Sequence, residues 1–207
     1  MPSPSEASQF LASLDADWAR LVTMIGPRPD TAPDTQEPYE ALVRAVAYQQ
    51  LHGKVAAAIL GRLLELHGGQ FPAPAALVAT DVAQLRACGF SGRKITYITG
   101  LAQAALAGNI PDHATALAME DEALITQLTA LPGIGRWTVE MMLMHTLRRA
   151  DILPVDDLGV REGFRRLKGL STAPTPRLLR DIGLAWSPHR SSAAWYLWRV
   201  PRDYLPP

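Results

Sequence analysis

The sequence predicts an all-α protein, on three observations. Apolar residues recur at three- and four-residue spacing along most of the 207-residue chain. Strand signals are nearly absent, with neither sustained period-two alternation nor an Asn-Gly or Asp-Gly hairpin turn. Proline, glycine and Ser/Thr/Asp residues fall between the periodic stretches as helix stops and caps.

Taken in order, Phe10, Leu11, Leu14, Trp18, Leu21, Val22 and Ile25 form one apolar stripe on a helix from Ser5 to Ile25. The stretch from Gly26 to Pro38 holds four prolines and no periodicity, and reads as a loop or linker. Helices then follow from Tyr39 to Leu51, Gly53 to His67, Pro74 to Ala79, Asp81 to Ala87 and Ser91 to Ala107. The remainder run from Asp121 to Ala130, Gly135 to Leu147, Asp157 to Leu167, Thr175 to Ile182 and Pro188 to Val200. The domain expectation is an N-terminal helix and Pro-rich linker over residues 1–37, its stripe docked on the second half of the chain, followed by a core over 38–207. That core divides into a helical lobe at about 38–120 and a hairpin-bearing lobe at about 121–207.

Hydrophobic content of 48% with 19% charged residues describes a folded chain. Its longest apolar runs, such as Val55 to Leu60, are too short for a bilayer, and Met1-Pro2-Ser3-Pro4-Ser5 lacks the charged and apolar regions of a signal peptide. A cytoplasmic monomer without membrane contact is expected. Cys88 is the only cysteine, which excludes an intramolecular disulfide and any four-cysteine cluster, and five scattered histidines form no metal-ligand spacing. No metal site is therefore expected. Charge is uneven: residues 1–130 carry 8 Lys+Arg against 13 Asp+Glu, and residues 131–207 carry 12 against 7. A local phosphate-binding face is compatible with a neutral whole.

The basic part opens on Leu131-Pro132-Gly133-Ile134-Gly135-Arg136-Trp137. Glycines allow a sharp turn and close backbone approach, and the free N–H groups of a following helix can bind an anion. With helical flanks this resembles a helix-hairpin-helix of the form L-P-G-I-G, a motif that binds one DNA strand through backbone amides without reading sequence. Gly133, Ile134, Gly135, Arg136 and Thr138 are the candidate DNA contacts. About twenty residues on, Pro154-Val155-Asp156-Asp157-Leu158-Gly159-Val160 places two carboxylates at the start of another helix. An aspartate there can cap the helix or act on a reacting group.

Hairpin, helix, then aspartate resembles the helix-hairpin-helix DNA glycosylase superfamily, and Gly133 to Thr138 with Pro154 to Arg161 looks most like the AlkA-type 3-methyladenine DNA glycosylases. The resemblance covers residues from about Pro38 to Arg199. It implies a two-lobed fold with the active site in a cleft between lobes, and hydrolytic release of alkylated purines from damaged DNA, 3-methyladenine and 7-methylguanine first. It implies no cofactor, while an alkali cation on hairpin carbonyls stays compatible. It maps the catalytic carboxylate to Asp157 and leaves Asp156 as the capping neighbour. Trp137 stands where related glycosylase-lyases carry a nucleophilic lysine, which implies a monofunctional enzyme, and its ring suits a cationic purine. By the same match, Gln50 and Leu51 of Ala47-Tyr48-Gln49-Gln50-Leu51-His52 form a wedge that fills the gap left by a flipped nucleotide. Tyr48 and His52 depart from the small residues usual there. Trp198, in a tail of the W-x-P-x-R-S-x-A type, faces the base pocket, with Arg190 and Ser191 where the tail folds back. Glu140 and Met141 replace an aromatic, which implies a more open, less aromatic pocket.

Other readings stay open at this point. A non-catalytic DNA-binding module would use the hairpin alone and give Asp157 no role. A glycosylase and lyase for other damaged bases is opposed by Trp137. A helical interaction protein would use the glycine hairpin only as a turn.

Overall fold

The computed structural model describes residues 4–29 and 36–204, and among them every regular element is helical. In chain order these are α1 (Pro4–Leu14), α2 (Ala16–Ile25), α3 (Pro38–Tyr48), α4 (Gly53–Leu66), α5 (Pro74–Ala79), α6 (Val82–Cys88) and α7 (Gly92–Leu106). Then come α8 (His113–Ala118), α9 (Asp121–Thr129), α10 (Arg136–His145), α11 (Leu158–Leu167), α12 (Pro176–Gly183) and α13 (Arg190–Leu197), with a single 3-10 turn at Leu184–Trp186. None of the described helices is long and apolar enough to cross a membrane.

The single helix expected from Ser5 to Ile25 is two. Asp15 breaks it, because its side chain caps α2 by accepting from the amides of Asp17 (2.9 Å) and Trp18 (3.0 Å). The sequence reading passed over α8, whose apolar pattern is too short to register. Its start signal was present, however: Asp112 follows Pro111 and accepts from the Thr115 amide at 2.7 Å. The helix expected to reach Leu51 ends at Tyr48, where Gln50 turns into the left-handed region at φ 57°. The helix expected from Pro188 starts at Arg190. Of the proline-rich linker, residues 30–35 lie outside the described residues.

The chain folds as two compact units, Asp34–Leu147, and Met1–Pro33 with Arg148–Pro207. The sequence placed the internal division near residue 120, whereas α9, the hairpin and α10 belong to the same unit as α3–α8. The reason is packing: α10 lies against both α9 and α3. In that unit Leu42, Val46, Leu63, Leu77, Ile98, Leu101, Leu124, Leu128 and Leu143 are fully buried. Burying a side chain of this kind is worth roughly 1.5–3 kcal/mol relative to leaving it exposed.

In the other unit the N-terminal stripe is covered by α11 and α13. Trp18 meets Trp186 edge-on with ring centroids 5.4 Å apart, and Phe164 packs on the same indole at 5.6 Å. Tyr196 is buried with its hydroxyl 2.8 Å from Ser8 Oγ and 2.9 Å from the Gly26 carbonyl oxygen, so its polar end is satisfied inside the core. The Lys168 ammonium joins the carboxylates of Asp15 and Asp17, each at 2.7 Å, and ties α2 to the end of α11. Burial pushes the Asp15 carboxyl up, but Lys168 and the two capping amides outweigh it and hold it below its ordinary value.

Candidate active site

Within the unit Asp34–Leu147, the segment between α9 and α10 closes as a tight hairpin through Ile134 N–H to Leu131 O, 3.2 Å. Gly133 adopts φ +84°, and a Cβ there would fall 2.5 Å from the ring of Tyr97. Two constraints therefore demand glycine at this position before DNA is considered. Gly135 caps α10 with open space around its Cα, and its first-turn amides begin a helix of ten residues.

The other candidate DNA contacts separate by burial. Ile134 is buried and anchors the hairpin from inside. Thr138, expected as a contact, is only 6% exposed, and its amide already donates to Gly135 O at 3.0 Å. Arg136 is exposed but engaged. Its Nη1 lies 3.0 Å from Glu122 Oε2 and its Nε 2.9 Å from Glu140 Oε1. Glu122, with Glu140 behind it, raises the guanidinium pKa above its ordinary value against partial burial. The expectation that Glu140 faces the base pocket fails for this reason: the side chain is buried and turned to Arg136.

On the same unit, α3 and α10 enclose a cavity of about 720 Å³. Trp137, Met141 and His145 line it from α10, and Arg44 and Tyr48 from α3. Trp137 is 46% exposed, so it is not a core aromatic. Tyr48, treated from the sequence only as a departure, adds a second half-exposed ring to the same wall. The pocket is thus less depleted of aromatics than Met141 alone implies. The Gln50-Leu51 turn follows α3, with Gln50 exposed and Leu51 37% exposed, which removes the reading of Leu51 as a core leucine. His52 caps α4.

In the unit that contains residues 148–207, Asp157 caps α11, its Oδ1 accepting from Val160 N–H at 2.8 Å. The indole Nε1 of Trp198 donates to the same oxygen at 2.8 Å. One donor from α11 and one from the residue that ends α13 fix the orientation of one carboxylate at a helix N-terminus, where negative charge is favoured. Asp156, expected to cap, is exposed, and the cap is Asp157 itself. The indole of Trp198, assigned by sequence to the base pocket, is committed to this carboxylate.

The approach of α11 to α13 makes that bond geometrically feasible. A Cβ on Gly163 would lie 2.0 Å from Leu197 O, and one on Gly159 2.9 Å from Trp198 Cδ1. The loop leading to Asp157 is clamped as well. Arg190 grips Asp151 through Nε (2.8 Å) and Nη2 (2.9 Å), and Ser191 Oγ lies 2.6 Å from Arg149 O and accepts from Ile152 N–H at 3.0 Å. Burial raises the Asp151 carboxyl, yet Arg190 and the Ser187 hydroxyl together hold it below its ordinary range. Arg190 and Ser191 therefore occupy the fold-back position expected of them.

Sequence reasoning missed Gln49, Lys94, Tyr97, Asp151 and Gly163. Gly163 alone carried a signal, as a glycine inside a strongly amphipathic helix, which costs helix stability unless packing requires it.

Residues 43–188 match the model of the HhH-GPD superfamily of base excision DNA repair proteins. The chain is 44% identical over 209 residues to DNA-3-methyladenine glycosylase 1 of Schizosaccharomyces pombe, across 99% of this chain and 92% of that protein. Its fold is similar to the 3-methyladenine DNA glycosylase of Schizosaccharomyces pombe solved in complex with abasic DNA, with a TM-score of 0.85, 45% identity, and coverage of 93% of this chain and 95% of that one. It is also similar to a DNA-3-methyladenine glycosidase from Bacillus halodurans, with a TM-score of 0.84, 32% identity, and coverage of 96% and 90%.

Proposed function

The chain belongs to the HhH-GPD superfamily of base excision DNA repair proteins, and from that premise we infer that it is a monofunctional DNA-3-methyladenine glycosylase, which excises alkylated bases from DNA in base excision repair. The structural observation that carries the reading is Asp157, a carboxylate held by two donors at the start of α11. In a plain DNA-binding module or an interaction protein the same carboxylate would serve only as the cap of α11.

The chemistry follows from the leaving group. An alkylated purine carries positive charge, so when the bond between its ring nitrogen and C1′ breaks, the base takes the electron pair and departs neutral. The sugar is left as a cation. A carboxylate oriented before the reaction stabilises that charge as it develops, and can orient the water that adds to C1′ and then loses a proton. We assign this role to Asp157, with Trp198 as its positioning partner. The hairpin amides at Gly133 and Gly135 grip the phosphate backbone, Leu51 with Gln50 occupies the gap left by the flipped nucleotide, and Trp137 with Met141 contacts the base. The substrates proposed first are 3-methyladenine and 7-methylguanine. The enzyme is proposed to act as a cytoplasmic monomer without a cofactor.

Lyase chemistry needs an amine nucleophile, and the position of Trp137 cannot supply one. The Lys94 ammonium is bonded to the carbonyls of Ala47 and Gln49, and that of Lys168 to two aspartates. Incubation with methylated DNA should release free alkylated bases and leave a continuous strand that breaks only on later treatment with alkali. Borohydride should trap no protein–DNA adduct. Absence of free base would refute the glycosylase reading, and a trapped adduct the monofunctional one.

A further inference from the structure

Two turns of the unit Asp34–Leu147 are joined by the side chain of Gln49, which lies in the wedge segment itself, and by those of Lys94 and Tyr97, which lie outside both motifs. The first turn, residues 49–52, follows α3, and the second is the 131–135 hairpin. Gln49 Nε2 donates to Gly133 O at 2.9 Å, a bond between residues 84 positions apart in sequence. On α7, Lys94 Nζ donates to Ala47 O at 2.7 Å and to Gln49 O at 2.8 Å, satisfying carbonyls at the end of α3 that have no partner further along the helix. Three residues on, Tyr97 lies on the same face of α7, and its ring is the surface against which Gly133 is pressed. One helix thus presents one side chain to each turn, and Gln49 links the turns directly. Gln50 holds a left-handed backbone at φ 57°, a conformation that persists in a residue with a side chain only where its surroundings enforce it.

We propose that Gln49, held by Lys94, is a positioning residue that locks the 50–51 turn to the hairpin, so that gripping the backbone and unstacking the base act as one rigid step. The proposal rests on the glycosylase reading above and names a determinant of its flipping step. An apolar wedge unstacks bases only if the DNA cannot yield to it, which requires that the groups holding the phosphates keep a fixed distance from the wedge. A flexible connection between the two turns would leave affinity for DNA largely intact and dissipate the push.

The test compares single-turnover release of 7-methylguanine by the full chain from two duplexes. In one the lesion is paired with cytosine; in the other it faces an abasic residue, so the unpairing has already been done. Gln49→Leu and Lys94→Met should each lower the rate on the paired substrate roughly tenfold, as expected for loss of one or two partly buried hydrogen bonds, and the rate on the unpaired substrate by less than about twofold. Lys94→Arg, which keeps its donors, should restore the paired rate. Thermal melting of each variant identifies any loss of fold, which would lower both rates together. Equal losses on the two duplexes, or no loss on either, would overturn the proposal while leaving the glycosylase reading in place. Failure of the wild-type protein to release base from either duplex would overturn both.

Discussion

Trp198 and Asp157 are joined by a 2.8 Å hydrogen bond from indole N–H to carboxylate Oδ1, and α11 and α13 pack closely enough to allow it only because Gly163 lies under Leu197. Removing the charge and removing the donor should therefore have separable effects. Asp157→Asn should lower base release by at least about a hundredfold, the scale of losing a group that acts on transition-state charge. It should leave affinity for an abasic-site duplex within a few-fold of wild type. Trp198→Phe keeps the charge and loses its guide, and should cost roughly tenfold at most. Single-turnover rates and binding isotherms on the same preparations check both, and equal rates for Asp157→Asn and wild type would end the catalytic assignment.

Gly163→Ala tests the packing itself. A methyl group would meet a backbone oxygen at 2.0 Å, which no rotamer can relieve. The two helices must separate, at a cost of about 1–3 kcal/mol, read as a lower midpoint in chemical or thermal unfolding. Activity should fall further than the fraction unfolded explains, because the indole moves away from the carboxylate.

The two hairpin glycines should behave differently on substitution. Gly133→Ala forces a side chain into a left-handed position and against Tyr97, and should reduce stability before any question of DNA arises. Gly135→Ala meets nothing within 4 Å, so its melting temperature should be unchanged. Its effect on DNA affinity is then a clean measure of backbone approach, and should be equal across sequences, since phosphates carry none. Normal binding by Gly135→Ala would confine the hairpin to a structural role.

Acid should weaken the clamp around the loop that leads to Asp157. The Asp151 carboxyl has a folded-state pKa below its unfolded value. Its stabilising contribution is therefore present above the unfolded value and is lost as pH falls through the folded one. Asp15 is lowered in the same direction by Lys168 and its capping amides. Asp151→Asn should flatten the acid limb of a stability-against-pH curve and leave its neutral region lower than wild type. An unchanged acid limb would show that the Asp151 pair contributes nothing to it.

Much of this architecture was legible in the chain. Helical class follows from periodicity and the hairpin from its glycines, whereas only the resemblance to the glycosylases singles out Asp157 over Asp156. What escaped was tertiary. Asp15 divides the first helix through a cap that looks like any charged residue in an amphipathic run, and α8 is too short for its period to register. The boundary between units depends on α10 packing against α3, a contact across about ninety residues that no local pattern encodes. Thr138 and Ile134 belong to the motif by position, and the burial of their side chains leaves only their backbone to face a partner. Gln49 lies in the wedge segment without a role that the segment itself reveals, and Lys94 lies in no motif, since a side chain that bonds to a distant carbonyl can be any donor of suitable length.

Arg136 carries a consequence for how firmly this protein holds DNA as salt rises. Affinity for a polyanion falls with ionic strength in proportion to the number of small cations expelled when the complex forms, and a basic residue expels one only if its charge is available to replace it. The guanidinium at the head of α10 is already paired with the exposed Glu122 and with Glu140, the latter inaccessible to water. Counting arginines in the second half of the chain therefore overstates the electrostatic share of binding. The contact proposed for the hairpin, through peptide dipoles that displace few ions, is therefore expected to keep its strength at salt concentrations that would detach a lysine-rich surface.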